Sequence, residues 1–469
     1  MIGHPLGDVV TTHHHVRFYQ LNYDDEPIGF SSRRRNEGVR AAFKETNRMV
    51  TGLLNQRFGS PCHVAVLCAA GFAGCGPSDD GLPASSGTQS QSDGGTLAEA
   101  STNPDSSTSK GDSGPLQHDG GSPGTDGGTT PTDDPPAILG CPILPANHIF
   151  NTPIDAQPVH PNSAAFIATI GPHSLRLDFG TSVDPMAADY YGIPYNVVHG
   201  SAMTWTPVAY HSNDPDMSWD PRQESECPNG AAHTDVSPCT SNAAPNPVFP
   251  IPVAPLVEGG IDTNPSQPYG DHHILLLDAD TCLLWELYHA YPTSGGWDIF
   301  GSARTDLRSN ALRPAGWTSS DAAGFPIVPL LLRADEATAG NIHHALRFTI
   351  QSNHIRNEYT WPGRHFTTNG TSSQNLPPMG QLFRLKASYQ VPANFGPQSR
   401  AILRALKTYG MYLADGGSDM FLSGEPNTTW QNETFSEMQS VPSSQFEAVD
   451  LSSIEKRAGF DPNSAAVPP

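Results

Sequence analysis

The stretch Asp271–Ala290, DHHILLLDADTCLLWELYHA, limits what this chain can fold into more than any other. Asp278–Thr281 is a turn cluster between two β-prone runs, which predicts an antiparallel hairpin. With those four residues as the loop, Leu277 faces Cys282, Leu275 faces Leu284 and His273 faces Glu286. Side chains alternate between faces along a strand. One face then holds His273, Leu275, Leu277, Leu284, Glu286 and Tyr288. The other holds His272, Ile274, Leu276, Leu283, Trp285, Leu287 and His289. Both faces are apolar near the turn, so the hairpin is expected at the centre of a domain, covered on both sides. The polar groups collect at the end away from the turn.

The surrounding sequence predicts more strands than helices. Short strands are expected at SLRLDFG, NVVHG and MTWTPVAYH, and an alternating strand at LFRLKASYQV. In NIHHALRFTIQ the period of two puts Ile342, His344, Leu346, Phe348 and Ile350 on one face, making His344 a core histidine. His343 and Arg347 fall on the other, polar face. RADEATAG reads as a short helix closed by Gly340, and Ser319 or Ser320 as the cap of another. GPQSRAILRALKTYG is the clearest α-helix, with Pro397 at its first turn, a stripe of Ile402, Leu403, Leu406 and Tyr409, and Gly410 at its end. Gly (44) and Pro (45) are abundant and charged residues only 15%, a turn-rich composition. The expected fold is mainly β: an antiparallel β-sandwich or jelly-roll-like domain with long loops and a few short helices, spanning 138–458, with 459–469 as a tail.

The N-terminal part addresses export. Arg57 precedes a short apolar run, Cys62–Gly74, too short to span a bilayer and ending in FAGC. FAGC resembles a bacterial lipobox, which implies cleavage before Cys75 and lipid on its thiol; an ordinary secretory signal is the alternative. Residues 49–75 are then the signal, and 1–48, which carry HHH and RRR but no core pattern, are expected to precede the true start. Residues 76–137 are Gly, Ser, Thr, Asp and Pro with little to bury, and read as a tether. Four cysteines follow. In an exported chain they predict two disulfides; Cys227–Cys239 and Cys141–Cys282 are the favoured pairs. No CxxC spacing supports a cysteine metal site.

Charge divides unevenly. Residues 138–300 hold 17 Asp and Glu against 2 Lys and Arg, whereas 301–410 hold 5 against 12. Either the halves neutralise each other across a core, or the second half lines a cleft for an anion. A net charge of −22 and an export signal argue against nucleic acid as a partner.

Three segments, SNALRPAGWTSSDAAGFPI, LPPMGQLFRLKAS and ILRALKTYGMYLADGGSDMFLSG, are similar to a family of exported bacterial proteins; the likeness covers most of 138–450 and carries over no functional residue. The order RSNALR, NIHHALRF, RLKASY also resembles the motif order of jelly-roll polysaccharide lyases of the alginate-lyase kind. Here Asn replaces the Gln that precedes the catalytic His motif, and the third motif's Tyr falls at Arg384 or Tyr389.

No Walker loop, Rossmann fingerprint, HExxH or GxSxG elbow occurs in the domain. The favoured function is action on an extracellular polysaccharide, including an anionic one, with no cofactor, by a surface protein held to the membrane through its lipid. β-Elimination would use Arg347 or Lys386 as the cation, His343 or His273 as the base, and Tyr288 or Tyr389 as the acid. Hydrolysis would need two carboxylates, of which Glu286 is one candidate. Trp297, Trp317 and Trp361, with Arg308 and Arg313, are the candidate substrate contacts. The alternative is a non-catalytic carbohydrate-binding or structural lipoprotein. A metal site from His272, His273, His289 and His343 is set aside, because adjacent histidines in a strand point to opposite faces.

Overall fold

A computed structural model describes residues 136–210, 220–261, 271–367 and 371–469. The expected signal, Cys75 and the tether as far as residue 135 lie outside these residues; Ala137, at its expected end, already pairs in a short strand.

The hairpin forms and is central. Ile274–Asp278 pairs with Leu283–Tyr288 in a four-stranded sheet ordered Gly301–Asp306, Leu283–Tyr288, Ile274–Asp278, Tyr195–Val198. Its two faces feed two separate cores. Leu275, Leu277 and Leu284 enter the larger one with Phe325 and Phe348. Ile274, Leu276, Trp285 and Leu287 enter a smaller one with Phe249, Trp297 and Ile299. Such two-sided cover is what makes a continuous apolar run tolerable in a strand.

The register differs from the sequence expectation. Asp278 pairs with Leu283, and Glu286 lies opposite Leu275. The loop is Ala279–Cys282, one residue later than expected. Asp278 stays in the strand because its carboxylate accepts from Gly200 N (3.0 Å), Asp280 N (3.1 Å) and Thr281 Oγ1 (2.6 Å). Cys282 takes up the turn with φ 54°. Pairing therefore shifts by two positions, an even number, so every residue keeps its face. The proposed His273–Glu286 pair is lost, and His273 lies beside Tyr288 instead, with ring centroids 5.4 Å apart.

A six-stranded sheet runs Phe446–Ala448, Leu382–Leu385, Met411–Gly416, Leu346–Ile350, Phe421–Ser423, Arg176–Asp178. A second four-stranded sheet joins Tyr291–Thr293, Gly296–Ile299, Thr206–Tyr210 and Val248–Phe249. The fold is thus mainly β, in several antiparallel and mixed sheets; Leu346–Ile350 runs parallel to Met411–Gly416, and Arg176–Asp178 parallel to Phe421–Ser423. The helix Pro397–Thr408 has Pro in its first turn and buries Ile402, Leu403 and Leu406, as its stripe requires. Ala334–Ala339 ends at left-handed Gly340. No helix follows Ser320: Ser319 Oγ accepts from Asp321 N in a turn instead. The strand at Leu382 stops at Leu385. Residues 459–469 are part of the fold, with Ala465 fully buried and Ala466 bridged to His148.

Both expected disulfides form, Cys141–Cys282 and Cys227–Cys239, with Cα separations of 5.3 and 5.4 Å. Stable disulfides belong to a non-reducing compartment. None of the described helices is long and apolar enough to cross a membrane. Cys141–Cys282 closes a span of 141 residues and Cys227–Cys239 one of 12. Loop-closure entropy grows with span. Replacing Cys141 and Cys282 together by Ser is therefore expected to cost about 4 kcal/mol in denaturant unfolding, more than replacing Cys227 and Cys239. An equal or reversed ranking would contradict that ordering.

The charge halves do meet. Arg304 pairs with Asp235 and Arg313 with Glu226, joining second-half cations to first-half acids.

Candidate functional site

The polar end of the hairpin opens onto a group of ionisable side chains drawn from both larger sheets. The loop before Ile274 supplies Asp271 and His273, and the strand Leu283–Tyr288 supplies Tyr288. The six-stranded sheet contributes Asp178, Arg347, Asp415 and Ser423. Connecting loops contribute Glu258, Ser320 and Asp321.

Glu258 is held there by backbone. Its N–H donates to His273 O (3.1 Å). Two residues earlier, Leu256 exchanges hydrogen bonds with the Asn196 side chain (2.8 and 3.0 Å), and Tyr190 Oη donates to Val257 O (2.9 Å). Asp415 follows a register shift in its strand: Phe348 pairs with Leu413 but Thr349 with Asp415, so Ala414 is the extra residue. Bulges of this kind re-aim the side chains beside them. His272 and His289, at the same end of the hairpin, have φ of 47° and 54°. Such left-handed non-glycine residues are uncommon and cost energy. Here they bring Ala290 N to His272 O (3.1 Å) and His289 N to Asp271 O (2.9 Å), which fixes the backbone on either side of His273.

His273 is buried between two acceptors. Nδ1 lies 2.6 Å from Glu258 Oε2, and Nε2 lies 2.9 Å from Ser320 O. A carbonyl can only accept, and so can an ionised carboxylate, so both ring nitrogens carry protons and the ring is an imidazolium. Burial alone would depress its pKa. The Glu258 charge and hydrogen bond, with help from Asp271, outweigh that and push it up to about 9. Glu258 shows the converse: burial would raise it, but His273 holds it below its ordinary value.

The other carboxyls move the opposite way. Burial, then the neighbouring Glu258 charge, raises Asp271. The same two causes push Asp178 up to about 6. Asp415 is driven well above the carboxylate range by burial, Asp321 and Asp271. Asp178 and Asp271 are nevertheless exposed to water, and Asp415 is half-exposed. Water reaches these groups although protein surrounds much of each, a concave arrangement that forms an acidic recess. Asp271 and Glu258 oxygens and a His273 nitrogen all lie within 4.8 Å of one another. Tyr288 Oη is 3.5 Å from Asp271 Oδ1.

Arg347 is buried and already matched. It makes a two-pronged contact with Asp321 (Nε–Oδ2 3.0 Å, Nη2–Oδ1 2.8 Å) and donates to Ser423 Oγ. Its charge is spent within the protein.

Of the residues expected from sequence, His273, Tyr288 and Arg347 come together here. Glu286 is close but buried; it accepts from Ile327 N (2.8 Å) and Val328 N (3.2 Å), and burial, tempered by those bonds, pushes it up to about 7. His343 lies beside Tyr409 instead, with ring centroids 6.3 Å apart. Lys386 donates to Ser444 O from the surface. His344 is a core residue, paired with Glu336 and Arg333. The tryptophans do not form an open platform. Trp297 packs in the smaller core, Trp361 is buried against Phe460 and donates to Ser464 O, and Trp317 stacks under Arg313. Arg313 is itself buried on Glu226, and Arg308 bonds Thr281 O. Sequence reasoning missed Asp178, Glu258, Asp271, Asp321 and Asp415 as site residues.

The Glu258, Asp271 and His273 group also has the composition of a metal site. Its geometry is that of a shared proton: 2.6 Å between Nδ1 and Oε2 is a hydrogen bond, and with both ring nitrogens protonated His273 offers no free lone pair. Comparison of the chain with family models, with curated proteins and with solved structures finds no match to any of them.

The charge state of His273 has a thermodynamic consequence. Its pKa rises from 6.5 to about 9 on folding, so its contribution to stability is complete below 6.5 and is lost as pH rises through 9. The depressed Glu258 contributes above its unfolded pKa and loses that contribution as pH falls through its folded one. Denaturant midpoints are expected to decline across pH 6.5 to 9, and Glu258→Gln is expected to remove that part of the decline. An unchanged slope in the variant would contradict the pairing.

Proposed function

We propose that this protein hydrolyses glycosidic bonds in an extracellular, uncharged glycan, with Asp271 as the proton donor and Glu258 as the nucleophile. One observation carries the reading: an oxygen of Glu258 and an oxygen of Asp271 lie within 4.8 Å of each other, and their surroundings push the two carboxyls in opposite directions, His273 holding Glu258 down while burial and the Glu258 charge raise Asp271. Such divergence divides acid from base roles, and carboxyls about 5 Å apart belong to the retaining mechanism. Asp271 gives its proton to the leaving glycosidic oxygen while Glu258 attacks the anomeric carbon, forming a glycosyl ester. Asp271, now a carboxylate, takes a proton from water as that water attacks the same carbon and releases Glu258. His273 remains protonated throughout. It keeps Glu258 ionised before attack and stabilises it again as the leaving group.

An anionic glycan suits the recess less well. Its carboxyl groups outnumber its cations, and Arg347 is already matched by Asp321, so among the described residues of the group no free cation stands ready to neutralise a uronate as β-elimination requires. Incubation with a panel of neutral and uronate-bearing polysaccharides separates the two chemistries. New reducing ends without unsaturated products support hydrolysis; unsaturated uronates would mark a lyase and sink the proposal.

The location belongs to the same reading. A lipid on Cys75 followed by a Gly, Ser and Asp-rich tether would hold the domain off a bacterial membrane, within reach of an outside polymer. Mass spectrometry of the mature protein is expected to find acylated Cys75 as its first residue. A mature chain that retains residues 1–48 would contradict this.

A further inference from the structure

We propose that the turn end of the central hairpin carries a second carbohydrate site, separate from the acidic recess, which binds a neutral saccharide without reacting with it. A cavity of about 420 Å³ lies there, on the hairpin face opposite Tyr288, and its walls include Ser201, Trp205, His233, Asp278, Asp280 and Trp285. This volume falls in the range of small-molecule sites.

The walls are fixed. Trp205 Nε1 donates to Gly200 O (2.9 Å), and the ring stacks on His233 at 3.9 Å and 16°. Gly200 is wedged between Trp205 and Asp278; a Cβ there would stand 2.9 Å from Asp278 Oδ2 and 3.2 Å from the Trp205 ring. Asp280 is held by Ser201 N (3.0 Å), Ser201 Oγ (2.5 Å) and His199 Nδ1 (2.7 Å). Asp235, also in the wall, is paired with Arg304. One polar group is left over. Trp285 is fully buried and lines the cavity, and among the described residues its Nε1–H has no hydrogen-bond partner. A buried donor left unpaired is costly, and a ligand atom that accepts from it would recover that cost.

The chemistry selects the ligand. An indole N–H needs an acceptor, and the wall carboxylates, already held, can still accept a further donor. A hydroxyl group is both, so a polyhydroxylated ring satisfies the two kinds of wall at once while its apolar face lies on an aromatic one. An ammonium cation offers no acceptor to Trp285. An anion would meet three carboxylates and no lysine or arginine in the wall. A metal ion needs converging ligands; among the described residues three such atoms come within 4.8 Å only at Glu258, Asp271 and His273, not at Asp235, Asp278 and Asp280.

The site stands independently of the hydrolytic reading, and its test is built to keep the two apart. Binding is measured by calorimetry and tryptophan fluorescence in full-length protein carrying Asp271→Asn, so that no probe is consumed. The probes are the hexasaccharides of cellulose, mannan, xylan, starch and chitin, with spermidine and calcium chloride alongside. At least one saccharide is expected to bind, and Trp205→Ala to weaken it about tenfold. Trp285→Phe, which removes only the N–H and part of the ring, is expected to weaken the same saccharide. Trp205 is half-buried at the surface, so its variant reports even if the core variant fails to fold. In protein with Asp271 restored, Trp205→Ala should leave cleavage of a short soluble glycoside unchanged. Failure of all five saccharides, binding indifferent to Trp205→Ala, or spermidine or calcium binding here in place of a saccharide would each overturn the proposal.

Discussion

Asp271→Asn is expected to lower turnover of a cleaved glycan by roughly 10² to 10⁴, the usual worth of a positioned general acid. The amide keeps the shape of the carboxyl but carries no transferable acidic proton. Glu258→Gln is expected to abolish turnover as well, by removing the nucleophile. The two variants differ in what they do to His273. Without the Glu258 charge, burial dominates and the imidazole should titrate well below its wild-type value of about 9. Without the Asp271 charge the shift should be small, because Glu258 is the larger cause. The pH profile of turnover should be bell-shaped. It falls at low pH as Glu258 takes up a proton, and at high pH as Asp271 loses its own. Assays of both variants on a cleaved glycan, with NMR titration of His273, test these points together. Full activity in either variant would remove that residue from the mechanism.

The second large effect concerns stability. Arg347→Ala is expected to destabilise the fold by about 3–5 kcal/mol, because it strands a buried charge. The Asp321 side chain has no exposure to water, and Arg347 supplies both of its guanidinium contacts. Replacing both partners by apolar residues, Arg347→Met with Asp321→Leu, is expected to cost less than Arg347→Ala alone, since no charge is then left unpaired. Urea unfolding at constant m-value gives the comparison. A single-variant cost below about 1 kcal/mol would contradict the burial of this pair.

Much of the framework was legible because periodic residues report on burial. The two apolar faces of Ile274–Asp278 and Leu283–Tyr288 were readable, as were the stripe of Pro397–Thr408 and the left-handed Gly340. Register was harder. The turn lies one residue later than its composition suggests, because the Asp278 carboxylate finds three donors while still in the strand. That one residue moves His273 from Glu286 to Tyr288, and its carboxylate partner, Glu258, comes from a separate loop. Even face parity survived because the shift was even. The parallel pairing of Leu346–Ile350 with Met411–Gly416 leaves no mark in local sequence; alternation states which face is buried, not which strand lies alongside.

The candidate site was legible only in its strand-borne part. Tyr288 and Arg347 follow from alternation, as does His273, which stands just before the strand Ile274–Asp278 and keeps its phase. Glu258, Asp271 and Asp321 sit in turn-rich loops, where no period predicts direction, and they converge through long-range contacts such as Asn196 with Leu256. Asp178 and Asp415 are in strands, but their accessibility depends on a recess between elements distant in sequence. The tryptophans failed as a guide for the opposite reason: a large apolar ring in a β-rich protein satisfies a core as readily as a sugar, and Trp297 and Trp361 do the former.

The stereochemistry of the first product separates attack by Glu258 from attack by water. Proton NMR recorded during early turnover of a cleaved glycan reads the configuration of the new anomeric carbon before mutarotation. The spacing of Glu258 and Asp271 predicts retention, through a glycosyl ester on Glu258. An inverted first product would mean that water, not Glu258, attacks the sugar, and would contradict the account.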